Sequence, residues 1–495
     1  MTTPDPPPHR RRSRVPPALA ALLACVACLG LTWAVVVPPW QAPDETAHTA
    51  YVQSVAERGA LPGGDRPLLS SEQGAAAELA NTFQVTGQPL TDPEWSPRIA
   101  ARRDRLGELA RDDGGGGSNP ASSNPPLFYL YESLAYRVAG GGDIFSRMLA
   151  MRLASVAWLL VTVTAAWLLA GQIFRRDRRL QLVAAAFTGL LPMMTSVASS
   201  VNPDAMMIAL WTLALWLGTA LLRDGGWRTG AGLGLVTGLA LVTKPTSYAL
   251  IAPVLLVLAI AAVRTRARTS TGQAARGLLA GTGALVVPLA AWVIAARLMD
   301  RAADTQLAAV AAKANLREFT TYVWQFYLPK LPFQSDYRAT HPNFQTLADG
   351  LPLYDTWIRT GGAAFGYLEV QFPEPVYWLF AAAALVAVAA CILSLRGRRR
   401  ALDAATAVFF AALVLILLAG LHWTEYRLLQ AGGQSFIQGR YLLPVAALGG
   451  LVVAQATRLA PAQGRTRFVV HAVILGALAV LQIHSLALVM ARYYA

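Results

Sequence analysis

The sequence predicts an all-α, polytopic membrane protein with about eleven transmembrane helices. Three observations predict it. Of 495 residues, 55% are hydrophobic and only 14% are charged, where a soluble globular domain carries about 25% charged residues. Apolar stretches long enough to cross a bilayer recur along the whole chain. Basic residues gather in short clusters between those stretches: Arg10, Arg11, Arg12 and Arg14, then "RRDRR" at 175–179, "RTRAR" at 264–268 and "RGRRR" at 396–400.

These clusters have the positive-inside pattern of cytoplasmic loops. They account for the net charge of +14 without a nucleic-acid partner, because the charge is dispersed among loops. The mean hydropathy of +0.42 agrees. Cys25, Cys28 and Cys391 lie inside apolar runs and read as small buried hydrophobes.

Residues 1–16 form a basic tail. The apolar run 17–37 follows, roughly 31 Å of helix at ~1.5 Å per residue. That exceeds the core of a cleaved signal peptide, so it reads as a signal anchor with its N-terminus in the cytoplasm. Residues 38–148 form the first extracytoplasmic loop. Spans two to seven occupy 149–298, as runs 149–173, 181–200, 205–222, 229–243, 246–263 and 277–298. A second large outer loop covers 299–375, and spans eight to eleven fill 376–495 as 376–395, 401–421, 441–457 and 468–490. The C-terminus is then extracytoplasmic. No internal repeat or inverted half is visible.

Segment 124–140, "NPPLFYLYESLAYRVAG", is shorter and contains Glu132 and Arg137. If it crossed, "RRDRR" and "RTRAR" would face outward, against the charge bias. It reads as a juxtamembrane or re-entrant helix, and its three tyrosines suit an interface. The tract "DDGGGGSNPASSNPP" at 112–126 reads as flexible.

Four polar motifs interrupt this apolar chain, and the expected topology places all four at one membrane face. In "APDETAH", Pro43 ends any incoming helix, and Asp44, Glu45 and His48 share one face of the next. The simpler reading of Asp44 is a helix cap. The functional one is an ionised acid that accepts a hydroxyl proton or binds a divalent cation. In "SSVNPDAMM", Asn202, Pro203 and Asp204 make a good helix start and also bring a second carboxylate to that face. In "LVTKPTSY", Lys244 is one of three lysines beside 39 arginines. It reads as a snorkelling end residue or as the partner of an anion such as phosphate. In "SFIQGRYLLP", Gln438, Gly439, Arg440 and Tyr441 open span ten. Gly439 permits close approach, and the Arg440 fork suits a phosphate. His422, Glu425 and Arg427 add polar groups nearby.

On these residues the chain resembles the GT-C superfamily of integral-membrane glycosyltransferases. Those proteins carry an acidic motif in the first outer loop, a "PPL" juxtamembrane helix, matched by Pro125, Pro126 and Leu127, and a second acidic position, matched by Asp204. More closely, it resembles a bacterial family of predicted membrane proteins marked by P-D-E-x-x-H, N-P-D, K-P and Q-G-R-Y-L-L-P. Pro43–His48, Asn202–Asp204, Lys244–Pro245 and Gln438–Pro444 match these, and "AAFGYLEVQFPEPVY" at 363–377 matches a late-loop segment.

The resemblance implies a polyprenyl-phosphate sugar donor, transfer at the outer face, and a glycan, lipid or protein acceptor of the cell envelope or secreted fraction. Asp44 would be the general base, or would share a divalent ion with Glu45. Lys244 and Arg440 would hold the donor phosphate, with His48, Asn202, Asp204, Gln438 and Tyr441 around it. An Asp44, Glu45 and Asp204 set would suit Mg²⁺ or Mn²⁺. The competing readings are a transporter or lipid flippase, which would place ionisable groups near the bilayer midplane, and an envelope-polysaccharide polymerase or ligase, which would leave the Asp44–Glu45 pair unexplained.

Overall fold

The computed structural model describes residues 15–62, 68–88, 103, 105–114, 117–118, 121, 124–175, 177–299, 315–344, 352–396, 402–461 and 465–494. The tail 1–14, most of the 396–400 cluster and parts of both long loops lie outside the described residues.

Among the described residues the chain is all-α apart from two short pairings, β1 (Leu68–Leu69) with β2 (Gly117–Ser118) and β3 (Ala364–Phe365) with β4 (Val370–Gln371). In chain order the principal helices are α1 (Pro17–Val36), α2 (Glu45–Arg58), α3 (Ser71–Leu79), α4 (Leu127–Val138), α5 (Ile144–Phe174), α6 (Arg178–Gly189), α7 (Pro192–Ala198) and α8 (Asp204–Asp224). Then come α9 (Trp227–Leu241), α10 (Ile251–Arg268), α11 (Thr271–Leu298), α12 (Leu316–Tyr327), α13 (Glu374–Arg396), α14 (Ala404–Gln430), α15 (Ala446–Ala456) and α16 (Arg465–Tyr494).

The protein is a multi-pass membrane protein. Among the described residues, nine helices are long and apolar enough to cross, or ten if a bent pair is one span. Two of the eleven expected runs account for the difference. Run 181–200 is broken into α6 and α7, which meet at 61°, because Pro192 has no N–H to continue the ladder of α6 and instead opens α7. Run 229–243 yields α9, only 15 residues long, or about 22 Å. Pro245 holds Lys244 in an extended conformation (φ −153°, ψ 136°) and ends the helical path. Short α9 is held by close packing: a Cβ on Gly234 would lie 1.9 Å from the carbonyl oxygen of Gly281 on α11, a small-residue contact typical of membrane helix pairs.

Helix α8 is the centre, with 83% of its apolar window buried; α13, at 6%, faces outward. Helix α4 is 12 residues long, too short to span. It is two-faced: Phe128, Tyr129, Glu132 and Tyr136 are buried, while Leu130, Leu134 and Val138 are exposed, as suits a helix lying along a membrane surface.

Candidate functional site

Helix α2 begins where α1 has just ended, and the chain between them is pinned by one buried arginine. Arg152 of α5 donates to the carbonyls of Ala34 (2.9 Å), Val37 (2.6 Å) and Pro38 (3.0 Å). The first two are carbonyls that the end of α1 leaves without helical partners, and the Pro38 carbonyl also accepts from the Gln41 N–H (3.2 Å) in the turn that follows. The same guanidinium grips both oxygens of Glu45, at 2.7 and 2.6 Å.

Glu45 is fully buried. Its oxygens also accept from the backbone N–H of Trp40 (3.1 Å) and of Val201 (3.0 Å). Every lone-pair direction of Glu45 is thus engaged in tying α1, α5 and the 199–204 turn together. The sequence-based expectation gives Glu45 a part in catalysis or on a metal; in the structure its carboxylate is fully engaged as a clamp between these segments.

Asp44 differs from its neighbour in every respect. It stands at the N-cap position of α2, yet its side chain makes no capping hydrogen bond. Its backbone is left-handed (φ 61°), unusual for a residue other than glycine and characteristic of sites under functional constraint. The carboxylate, 54% exposed, instead accepts from Arg440 Nη2 at 2.9 Å. Its backbone N–H donates to the Tyr367 hydroxyl at 3.2 Å. Burial of its surroundings alone would raise the Asp44 carboxyl, but Arg440, His48 and Lys244 outweigh it and hold the group below the usual carboxylate range.

Lys244 meets Asp204, the first residue of buried α8, at 2.5 Å, and its ammonium lies 5.7 Å from the ring centre of Tyr441. The Arg440 guanidinium lies 5.3 Å from the same ring. His48, buried on α2, feels the charges of Asp44, Lys244, Asp204 and Arg440 together. Four segments distant in sequence are therefore gathered into one polar cluster.

His48 is oriented by residues the sequence reading passed over. The Asn124 amide donates to the Tyr129 hydroxyl at 2.9 Å, and the same hydroxyl is hydrogen-bonded to His48 Nδ1 at 3.0 Å. Tyr51 stacks on Tyr129 with ring centres 3.6 Å apart. Burial lowers the His48 pKa to about 4, so the ring is neutral at pH 7.

Asn202 is a fastener: its amide donates to the Pro43 carbonyl (3.2 Å) and its oxygen accepts from the Asp204 N–H (2.9 Å). Gln438 lines a cavity of about 170 Å³ with Asp355, Thr356 and Thr360. Gly439 is required by a backbone crossing, since a Cβ there would lie 2.2 Å from Gly361 Cα. Glu425 at the end of α14 accepts from the N–H groups of Phe436 (3.2 Å) and Ile437 (2.8 Å), which sets the path into Arg440. His422 sits between the hydroxyls of Tyr322 and Tyr327, at 2.9 and 2.8 Å.

Arg440 is the site's distinctive group. It is buried beside Tyr441, and among the described residues its Nε and Nη1 donors make no hydrogen bond of ordinary geometry. Buried donors without acceptors are costly, and an anion would satisfy them. A divalent cation fits less well. Asp44, Glu45 and Asp204 each already face a cationic side chain, and among the described residues no three His, Cys, Asp or Glu side chains are grouped to hold a metal ion.

Tyr367 comes from the 363–377 segment between β3 and β4, Tyr129 from α4, and Arg152 from the first third of the long apolar helix α5. Arg152 had a signal: an arginine inside a membrane run requires a partner. The tyrosines had none, because only the fold brings them to α2.

The chain is similar over 96% of its length to the oligosaccharyltransferase of Archaeoglobus fulgidus in its apo form, at 12% identity and a TM-score of 0.44, covering 56% of that protein. It is similar over 98% to the arabinosyltransferase EmbB of Mycobacterium smegmatis, at 11% identity and a TM-score of 0.49, covering 43% of that protein. It is similar over 89% to ArnT of Cupriavidus metallidurans bound to undecaprenyl phosphate, at 15% identity and a TM-score of 0.35, covering 77% of that protein. The chain thus spans about half the length of the first two. No curated protein matches it in sequence. Residues 27–449 match the family described as "Predicted membrane protein (DUF2142)", and the chain belongs to that family.

Proposed function

We propose that the protein is a GT-C-type glycosyltransferase that moves a sugar from a polyprenyl-phosphate donor to a cell-envelope or secreted acceptor at the outer membrane face. One observation carries the reading: the half-exposed Asp44 carboxylate stands against Arg440, whose buried Nε and Nη1 have no well-aligned acceptor among the described residues. In this reading Asp44 is the general base and Arg440 the cation that holds the donor phosphate beside it.

The acceptor hydroxyl attacks the anomeric carbon of the sugar. The new C–O bond forms as the bond from that carbon to the phosphate oxygen breaks, and the electron pair leaves with polyprenyl phosphate. As positive charge develops on the attacking oxygen, its proton passes to Asp44. Arg440 and Lys244 stabilise the charge that grows on the departing phosphate. His48, neutral at pH 7, stands at the same cluster. Asn202 and Arg152 hold the loop that presents Asp44. No step passes through a metal.

The test is an assay of membranes containing the full chain, supplied with a pool of lipid-linked sugars and read by mass spectrometry. Consumption of a donor with release of polyprenyl phosphate, abolished in Asp44→Asn, supports the reading. No donor consumed by the wild type, while envelope glycans are unchanged when the gene is deleted, refutes it.

A further inference from the structure

At the far end of α8 from Asp204, 20 residues and about 30 Å away, lies a second cavity, of about 440 Å³, between the ends of α8 and α10 and the starts of α9 and α11. The volume is within the ~300–1,000 Å³ of small-molecule pockets. Arg264, Arg268 and Arg276 line it against one acid, Asp224. Arg264 is partly engaged, by the Leu222 carbonyl (2.7 Å) and by Asp403 (3.8 Å). Arg276 lies over the Trp227 ring at 4.4 Å. Neither Arg268 nor Arg276 has an ion pair among the described residues. Helix α9 opens into the cavity at Gly226 without a side-chain cap. The inner wall is apolar, with Leu258 and Leu278.

Cationic rim and apolar wall belong to one amphipathic ligand. We propose that this cavity binds the phosphate of an anionic glycerophospholipid, with its acyl chains along Leu258 and Leu278, at the face opposite the candidate active site. Basic pockets between membrane helices recognise such headgroups. The apolar wall favours a lipid over a soluble phosphate, whose solvation shell it would strip without recompense.

Native mass spectrometry of the full chain in detergent tests this, with phosphatidylglycerol, phosphatidylcholine and inorganic phosphate as probes. The expected result is retention of phosphatidylglycerol in preference to phosphatidylcholine. Loss of two arginines in R268Q/R276Q should weaken it about 30-fold, at about tenfold per 1.4 kcal/mol and ~1 kcal/mol per basic residue. R268K/R276K, which keeps the charge, should bind within a few-fold of wild type, and melting temperatures in detergent check that all three fold. Equal retention by the folded glutamine variant, or equal binding of phosphatidylcholine, overturns the proposal. Inorganic phosphate binding alone with the same arginine dependence overturns the lipid as the source.

Discussion

Asp44 and Glu45 are adjacent acids at one helix start, and their opposite settings make opposite predictions. Asp44→Asn removes a charge from a side chain that is 54% exposed and bonded once, to Arg440. The asparagine oxygen can still accept that bond, and asparagine tolerates the left-handed backbone that Asp44 adopts. The pair is exposed on the Asp44 side only, because Arg440 is buried, so the stability cost should lie between the ~1 kcal/mol of an exposed pair and the ~3–5 kcal/mol of a buried one. Activity should fall by about 10²–10⁴-fold, the contribution of a positioned general base. Glu45→Gln reverses the pattern. It leaves the Arg152 charge buried with only carbonyl partners, and breaking a buried pair on one side costs about 3–5 kcal/mol. The assay pairs thermal unfolding of the purified protein in detergent with donor turnover. If Asp44→Asn keeps activity within about threefold, Asp44 is not the base. If it destabilises as much as Glu45→Gln, the division of roles between the two acids is wrong.

Arg440→Lys keeps the charge but loses the planar fork, and should raise the donor KM about tenfold or more with a smaller change in kcat; an unchanged KM would remove Arg440 from the phosphate site. Gly439→Ala should destabilise by about 1–3 kcal/mol or more through overpacking, because its Cβ would sit 2.2 Å from Gly361 Cα and 2.8 Å from the Thr356 oxygen; an unfolding midpoint equal to wild type would contradict the backbone crossing. His48 has its folded pKa depressed to about 4, below the ordinary value of about 6.5. Its contribution to stability is then complete above about pH 6.5 and is lost progressively as pH falls toward 4. Unfolding midpoints measured across that window should fall more steeply in wild type than in His48→Gln. Asp44, also depressed, should place the acid limb of activity below the ordinary aspartate value of about 3.9, and a limb near 6.5 in the pH–rate profile would contradict this account.

Much was settled by the sequence alone. Apolar run length and the spacing of arginine clusters dictate a multi-pass helical protein, because a bilayer demands internally satisfied backbone over about 20 residues. Proline, glycine and charge interruptions mark Asp44, Asp204, Lys244 and Arg440 as residues an apolar chain does not carry without cause. What the linear order could not decide was which acid stays exposed. Asp44 and Glu45 have the same charge and nearly the same local context. Their difference arises from Arg152 and Arg440, 107 and 396 positions away, each selecting one carboxylate through packing. The two shortened spans have the same origin: apolar length is a property of composition, but where a helix bends or stops depends on Pro192 and Pro245 and on how closely a neighbouring backbone, such as Gly281, can approach.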